Sequence, residues 1–232
     1  MNVFDCITTR RSVYKFEKKE VDDKLIGVIL YMATHAPSAG NVQEWHFIVV
    51  KDEEQKKNLA VAALNQSFIA EAPVVIVVCS DLERMSLRYD ERGKALYAIQ
   101  DTANACMLIL LAANALGLGS CWVGAFDEYS VRKTLEIPDN LRPVSIIPIG
   151  YAAEKTEMPT RMQFEDVTSF DKYGKKYDLA ALQPGARLGE DVFEPLSSYI
   201  EKVLKEQKKE KEDKPKERKK LTFEEFLRRL ST

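Results

Sequence analysis

Apolar and polar positions divide the first two thirds of the chain into helical stripes and short buried runs. Across residues 21–34, Leu25, Ile29 and Met32 recur at helical spacing. The segment Pro37-Ser38-Ala39-Gly40-Asn41 ends that helix in a loop. Residues 47–50 predict a short strand, and residues 52–64 a helix with Asp52 as its N-cap. Pro73 introduces residues 74–79, a continuous β-branched run that reads as a buried strand. The longest helix is expected over residues 94–116; it is apolar nearly all round and stops at Gly117 and Gly119. Buried strands follow at 120–123 and 144–149, separated by a short helix over 129–135 that ends near Pro138. Strands alternating with helices indicate a layered α/β or α+β domain. So apolar a helix in so small a domain needs unusual cover. It is either the centre of the core or a dimer interface, and the dimer is the expectation.

The pattern changes after Asp178. Residues 180–190 read as loop, with Pro184, Gly185 and Gly189. Phe193, Leu196, Ile200, Val203 and Leu204 then form one helical stripe that starts near Pro195. Residues 205–220 are almost pure charge, and residues 222–230 read as a capped amphipathic helix. Thr222 and Glu225 make its capping box; Phe223, Phe226, Leu227 and Leu230 make its apolar face. The expected organisation is one domain over 1–178, an arm with an amphipathic helix over 179–204, a charged linker or solvated helix over 205–220, and a short amphipathic helix over 221–232. The last helix is expected to dock on its own dimer; the alternatives are an anchor for a protein partner and a membrane-surface helix.

Composition narrows the chemistry. The 232 residues are 45% hydrophobic and 30% charged, ordinary for a globular chain. Net charge is −2, but residues 205–220 carry a local +4, which leaves −6 on the rest. An acidic body argues against nucleic acid as the main partner. Four scattered cysteines and two histidines make a disulfide scaffold or a metal site unexpected. No apolar run reaches the roughly 18–20 residues of a membrane span, and no signal peptide is visible, so a cytoplasmic location is expected. Gly117-Leu118-Gly119 follows a helix and precedes a strand, the reverse of a dinucleotide-binding turn. With no P-loop, G-x-S-x-G or H-E-x-x-H, and no side-chain triad, a cofactor is the expected carrier of any catalysis.

Four segments remain. Thr9-Arg10-Arg11-Ser12-Val13 places two arginines beside a hydroxyl, a combination suited to phosphate. Residues 36–45, APSAGNVQEW, offer small residues and amides that let a flat ring approach the backbone closely. The third is residues 117–126, GLGSCWVGAF; the fourth is Gly150-Tyr151 followed by Pro159-Thr160-Arg161. In this order the four segments resemble the FMN-dependent nitroreductase family, over about residues 2–177.

The resemblance implies an α+β sandwich with a central mixed sheet flanked by helices. It also implies an intertwined homodimer with FMN at the subunit interface, where helix 94–116 matches the family's interface helix. By position, Arg10 and Arg161 would bind the FMN phosphate, with Ser12 near the ribityl and phosphate and Arg11 contributing through its backbone. Pro37, Ser38, Ala39, Asn41 and Gln43 would come from the other subunit. Gly124 would turn its backbone N–H toward flavin N5, with Ala125 beside it, and Trp122 either supports that loop or packs in the core. One position departs from the pattern: Tyr14 stands where many members carry Arg or Lys; Lys15, which follows, is a candidate substitute for that cation, and the turn Asn65-Gln66-Ser67 offers no lysine. The implied activity is ping-pong oxidation of NADH or NADPH with nitroaromatics or quinones as acceptors. The alternative is an FMN-binding dimer that stores flavin or senses redox state through a partner of its C-terminal helix.

Overall fold

The computed structural model describes residues 2–163, 165–176 and 205. The expected boundaries at 178, 204 and 220, and the helices beyond them, lie outside the described residues. The chain divides into two compact units, Met1–Arg161 and Met162–Thr232; the first carries every candidate site residue.

In that unit α1 (Val3–Thr9) and α2 (Asp23–Ala33) precede β1 (Trp45–Val50). Then come α3 (Glu53–Ala62), α4 (Phe68–Glu71), β2 (Val74–Asp81) and α5 (Leu82–Arg92). A π turn (Gly93–Tyr97) leads into α6 (Ala98–Ala115), followed by β3 (Gly119–Ser120), α7 (Glu128–Leu135) and β4 (Leu141–Gly150). Aspartates start four of the helices. The Asp22, Asp52, Asp81 and Asp127 carboxylates each accept a backbone N–H from the first turn, as expected at Asp52.

The strands form one sheet in the order β1-β2-β4-β3. All three strand pairings are antiparallel; the parallel component of the expected mixed sheet is a single bridge, Ser12 to Ser120. Val74–Ser80 of β2 are buried without a break. Val75, Val77 and Cys79 face a core shared with α3, α4 and α7. Val74, Ile76 and Val78 face a second core shared with α2 and α6. Two apolar faces force two helical layers, which is the expected sandwich.

Several boundaries shift for identifiable reasons. The core stripe of α2 is Ile26, Ile29 and Ala33, while Met32 turns outward. The strand expected over 120–123 stops at Ser120. Cys121 N–H still donates to the Pro148 carbonyl at 3.2 Å, but Pro148 has no N–H to return. Pairing resumes only at Val123 and Ile146. The expected helix 94–116 begins as a π turn and runs on from α5, which sequence periodicity did not indicate.

The helical run Leu82–Ala115 is, by length and composition alone, long and apolar enough to cross a membrane, contrary to the sequence expectation. The backbone kinks at Asp90 (φ 47°). Eight residues of α6, from Ala98 to Ala113, are buried against the rest of the unit. The opposite face is open: Ile99 and Met107 are 39% and 43% exposed. The helix is therefore core on one side and uncovered on the other.

Gly119 joins the sheet edge to the first motif. A Cβ there would lie 2.7 Å from Cγ2 and 3.0 Å from Cβ of Val13, whose N–H donates to the Ser120 carbonyl. Because Val13 is branched at that atom, rotation cannot clear both contacts. Gly119→Ala is expected to cost about 1–3 kcal/mol, read as a lower denaturant midpoint at unchanged slope.

Candidate functional site

The sequence-predicted residues gather in two places. At the β3 edge, Arg10 follows the end of α1 and Ser12 bridges to Ser120. The Ser12 and Tyr14 hydroxyls and the Arg10 charge all act on the Cys121 thiol, yet burial outweighs them and pushes that thiol above its ordinary range. Among the described residues the Arg10 guanidinium has neither a hydrogen-bond nor an ion-pair partner. Arg11 is spent locally: its Nη1 donates to the Thr8 and Arg10 carbonyls at 2.7 and 2.8 Å, closing the end of α1. Lys15 pairs with Glu154 at 2.9 Å, and the Tyr14 ring packs edge-on against Phe68.

The third motif lies on the same side. Gln66 Nε2 donates to the Ala125 carbonyl at 3.1 Å, and Asp127 N–H to the Ala62 carbonyl at 2.9 Å. These bonds tie the Gly124-Ala125 loop to the turn after α3. Gly124 is exposed, and a Cβ built on it would meet only the Trp122 ring, 3.7 Å away. Its backbone is open to a flat partner. Trp122 is 37% exposed, so it borders this opening instead of filling the core. The segment after β4 runs beside the first motif, with Glu17 N–H donating to the Tyr151 carbonyl and Ala153 N–H to the Lys15 carbonyl. It ends in Arg161, which is exposed and, among the described residues, bonds its neighbour's carbonyl alone. No contact joins Arg161 to Arg10.

The second gathering is the loop before β1. Ala39 N–H donates to Asp101 Oδ2 at 2.8 Å, Asn104 Nδ2 to the Pro37 carbonyl at 3.3 Å, and Arg88 Nη1 to the Gly40 carbonyl at 2.8 Å. Ser38 Oγ accepts Gln43 N–H, and Gln43 Nε2 donates to Asn41 Oδ1 at 3.0 Å. Gly40, Asn41 and Gln43 all have left-handed backbone, with φ of 53°, 58° and 53°. The loop is thus a rigid turn seated on the first half of α6.

These two gatherings do not meet within one chain. The loop feeds β1 and the other cluster flanks β3, at opposite edges of a four-stranded sheet, which puts three strand spacings, about 14 Å, between them. Along α6 the separation is similar. The loop bonds Asp101 and Asn104, whereas α1 bonds Asn114, about 15–20 Å away at 1.5 Å per residue.

The nitroreductase family profile matches residues 7–66 and 59–151, a span holding the whole sheet and every candidate site residue but Arg161. The chain belongs to the nitroreductase family. A relative from Methanothermobacter thermautotrophicus, provisionally named an NADH dehydrogenase/NAD(P)H nitroreductase, is 38% identical over 160 residues, covering 66% of this chain and 79% of its own. An FMN reductase [NAD(P)H] from Bacillus subtilis is 26% identical over 192 residues, 77% of each chain. A nitroreductase family protein from Streptococcus pneumoniae TIGR4, known from its crystal structure, superposes with a TM-score of 0.67 at 28% identity, covering 72% of this chain and 99% of its own. The sequence resemblance and the sandwich fold are thereby established.

Three contributors carried no sequence assignment. Asp101 and Asn104 anchor the nitroreductase loop from α6, and Arg88 anchors it from α5. Gln100, Thr102 and Asn114 make α6 polar elsewhere too, so neither Asp101 nor Asn104 stood out in the sequence, and Arg88 gave no signal. Among the described residues no group of three or more His, Cys, Asp and Glu side chains is placed to hold a metal ion.

Gly40 tests the rigidity of the loop. Its φ is left-handed, and a Cβ would fall 2.4 Å from the Tyr89 hydroxyl and 2.7 Å from Cζ of Arg88. Both side chains can swing away, so the backbone conformation dominates the cost. Gly40→Ala should lose about 1–2 kcal/mol, seen as a lower melting temperature.

Proposed function

We propose that this nitroreductase is an FMN-dependent NAD(P)H oxidoreductase whose site is completed by a homodimer. The observation that carries the reading is the separation of the two gatherings on either side of an uncovered apolar face of α6. A two-fold pairing that runs the α6 helices antiparallel brings the Asn114 end of one helix to the Asp101 end of the other. The loop of one protomer then meets the Arg10 cluster of its partner. Ile99, Ala103, Met107 and Leu111, spaced four apart, supply the apolar contact.

The residues fit FMN. Among the described residues Arg10 has no counter-ion and Arg161 bonds a carbonyl alone; both would hold a phosphate, with Ser12 beside Arg10. Gly124 would leave its backbone open to an isoalloxazine ring and offer its N–H to flavin N5, with Ala125 beside it. Pro37, Ser38, Ala39, Asn41 and Gln43 would line the ring and ribityl from the other protomer. Arg11 contributes through the α1 terminus it closes, not through a free guanidinium. When bound, FMN would supply ping-pong hydride transfer from NADH or NADPH to a nitroaromatic or quinone acceptor. The residues of the chain orient and shield that exchange, and protons come from solvent. Four free, buried cysteines suit the reducing cytoplasm, where we place the protein.

The deciding measurement is the visible spectrum of the purified protein, before and after anaerobic NADH or NADPH. Flavin bands that bleach are expected. Bands that persist would indicate a flavin store, and no bands even after incubation with FMN would overturn the reading. Arg10→Ala should weaken FMN binding at least tenfold, about 1.4 kcal/mol or more for a charge-assisted bond. Because the Arg10 guanidinium has no hydrogen-bond or ion-pair partner among the described residues, unfolding stability should move by less than about 0.5 kcal/mol. Met107→Arg should yield a monomer by sedimentation, and that monomer should lack flavin.

A further inference from the structure

Glu44 ends the loop and is 1% exposed. Among the described residues neither of its carboxylate oxygens has a hydrogen-bond partner; burial lifts the carboxyl by more than its own backbone N–H pulls it down. Its backbone is well held, since the Glu44 carbonyl accepts the Asp81 N–H at 2.8 Å, so the side chain is fixed in a dry place. An ionised, unpaired carboxylate is costly there. The groups acting on it come from two packed elements. Asp101 faces it from α6 and adds negative charge; Arg84, at the start of α5, offsets part of it. Asp81 of β2 is committed to capping α5 at the Arg84 N–H, and Arg88 to the Gly40 carbonyl. Burial first, then Asp101, raises the Glu44 carboxyl from 4.5 to about 7. Asp101 is also raised by burial, against the pull of the Ala39 N–H and of Glu44.

We propose that Glu44 is a positioning residue that works in its protonated form: it donates to Asp101, and the pair, holding one proton and one charge, clamps the Ala39 N–H and with it the 37–43 loop. This rests on the cofactor reading above only for its effect on FMN; the clamp itself is a property of the chain. When Glu44 loses its proton, two anions face one another in a dry site. Asp101 then turns from Ala39, and the loop loosens. The sign follows from the shift. A carboxyl whose value is higher folded than unfolded favours the folded arrangement fully below its unfolded value. That contribution is lost as pH rises from about 4.5 toward about 7. Loop order should therefore fall as pH rises toward about 7 and level off above it.

The test is hydrogen exchange of the Ala39 amide in the full chain, with and without added FMN, corrected for intrinsic rates, from about pH 6 to about pH 8. Protection in the unaltered protein should fall about tenfold across that span, and FMN should bind about tenfold more weakly at the upper end, following the clamped fraction. Glu44→Gln donates to Asp101 at every pH and should hold both quantities level. Asp101→Asn keeps an acceptor for Ala39 without the charge that raises Glu44; Glu44 then ionises at lower pH beside a neutral amide, so the loss of protection should shrink and what remains should move to lower pH. Protection that ignores pH in the unaltered protein, or falls identically in Glu44→Gln, overturns the clamp. If FMN fails to bind at any pH the cofactor reading fails, and Ala39 exchange still decides the role of Glu44.

Discussion

Strand β2 buries seven consecutive residues, Val74–Ser80, and much of the molecule follows from it. A strand with no polar face cannot sit on the outside of a sheet or have one face in water, so helices must cover both sides. On one side α3, α4 and α7 close over Val75, Val77 and Cys79. On the other, α2 and α6 close over Val74, Ile76 and Val78. The second layer fixes where α6 lies, and α6 in turn carries the anchors for the loop and for the end of α1. The candidate site is thus hung from a helix whose position is set by hydrophobic burial.

The same helix explains why one chain holds only separated parts. Ala98, Ala105, Ile109 and Ala113 are spent on the intramolecular core, while Ile99 and Met107 remain in water. A helix apolar on both sides serves two interiors. Of the alternatives open in the sequence, core centre or dimer interface, the first holds on one face, and the second is the use proposed for the other.

Much of the fold was legible in the sequence because the β-branched run 74–79, the loop residues at 37–41 and the Asp52 cap carry strong local signals. The misses have physical causes. Strand β3 is short because Pro148 cannot return a bond, a fact of pairing invisible in residues 120–123 themselves. Helix α5 is broken at Asp90 and followed by a π turn, which blurs any 3.6-residue period. Within the site, Arg10, Ser12 and Gly124 stand in suggestive places by motif alone. Arg11 looked similar to Arg10, yet its guanidinium turns back on two carbonyls. Glu44 and Asp101 become visible only through burial. The Tyr14 departure is also clearer: Lys15 pairs with Glu154 and Gln66 with Ala125, so among these neighbours no cation takes the place that Tyr14 leaves.

Three of the four backbone positions from Gly40 to Gln43 are left-handed, a conformation that β-branched side chains resist strongly. Surface loops ordinarily drift in sequence and accept insertions. This one has little such freedom at Gly40, Asn41 and Gln43, although the first two face solvent, because those three positions are bound by their own torsion angles before any ligand makes a demand. Variation among descendants of this chain should therefore collect elsewhere on the surface, and the loop should change, when it changes, among Gly, Asn and Asp.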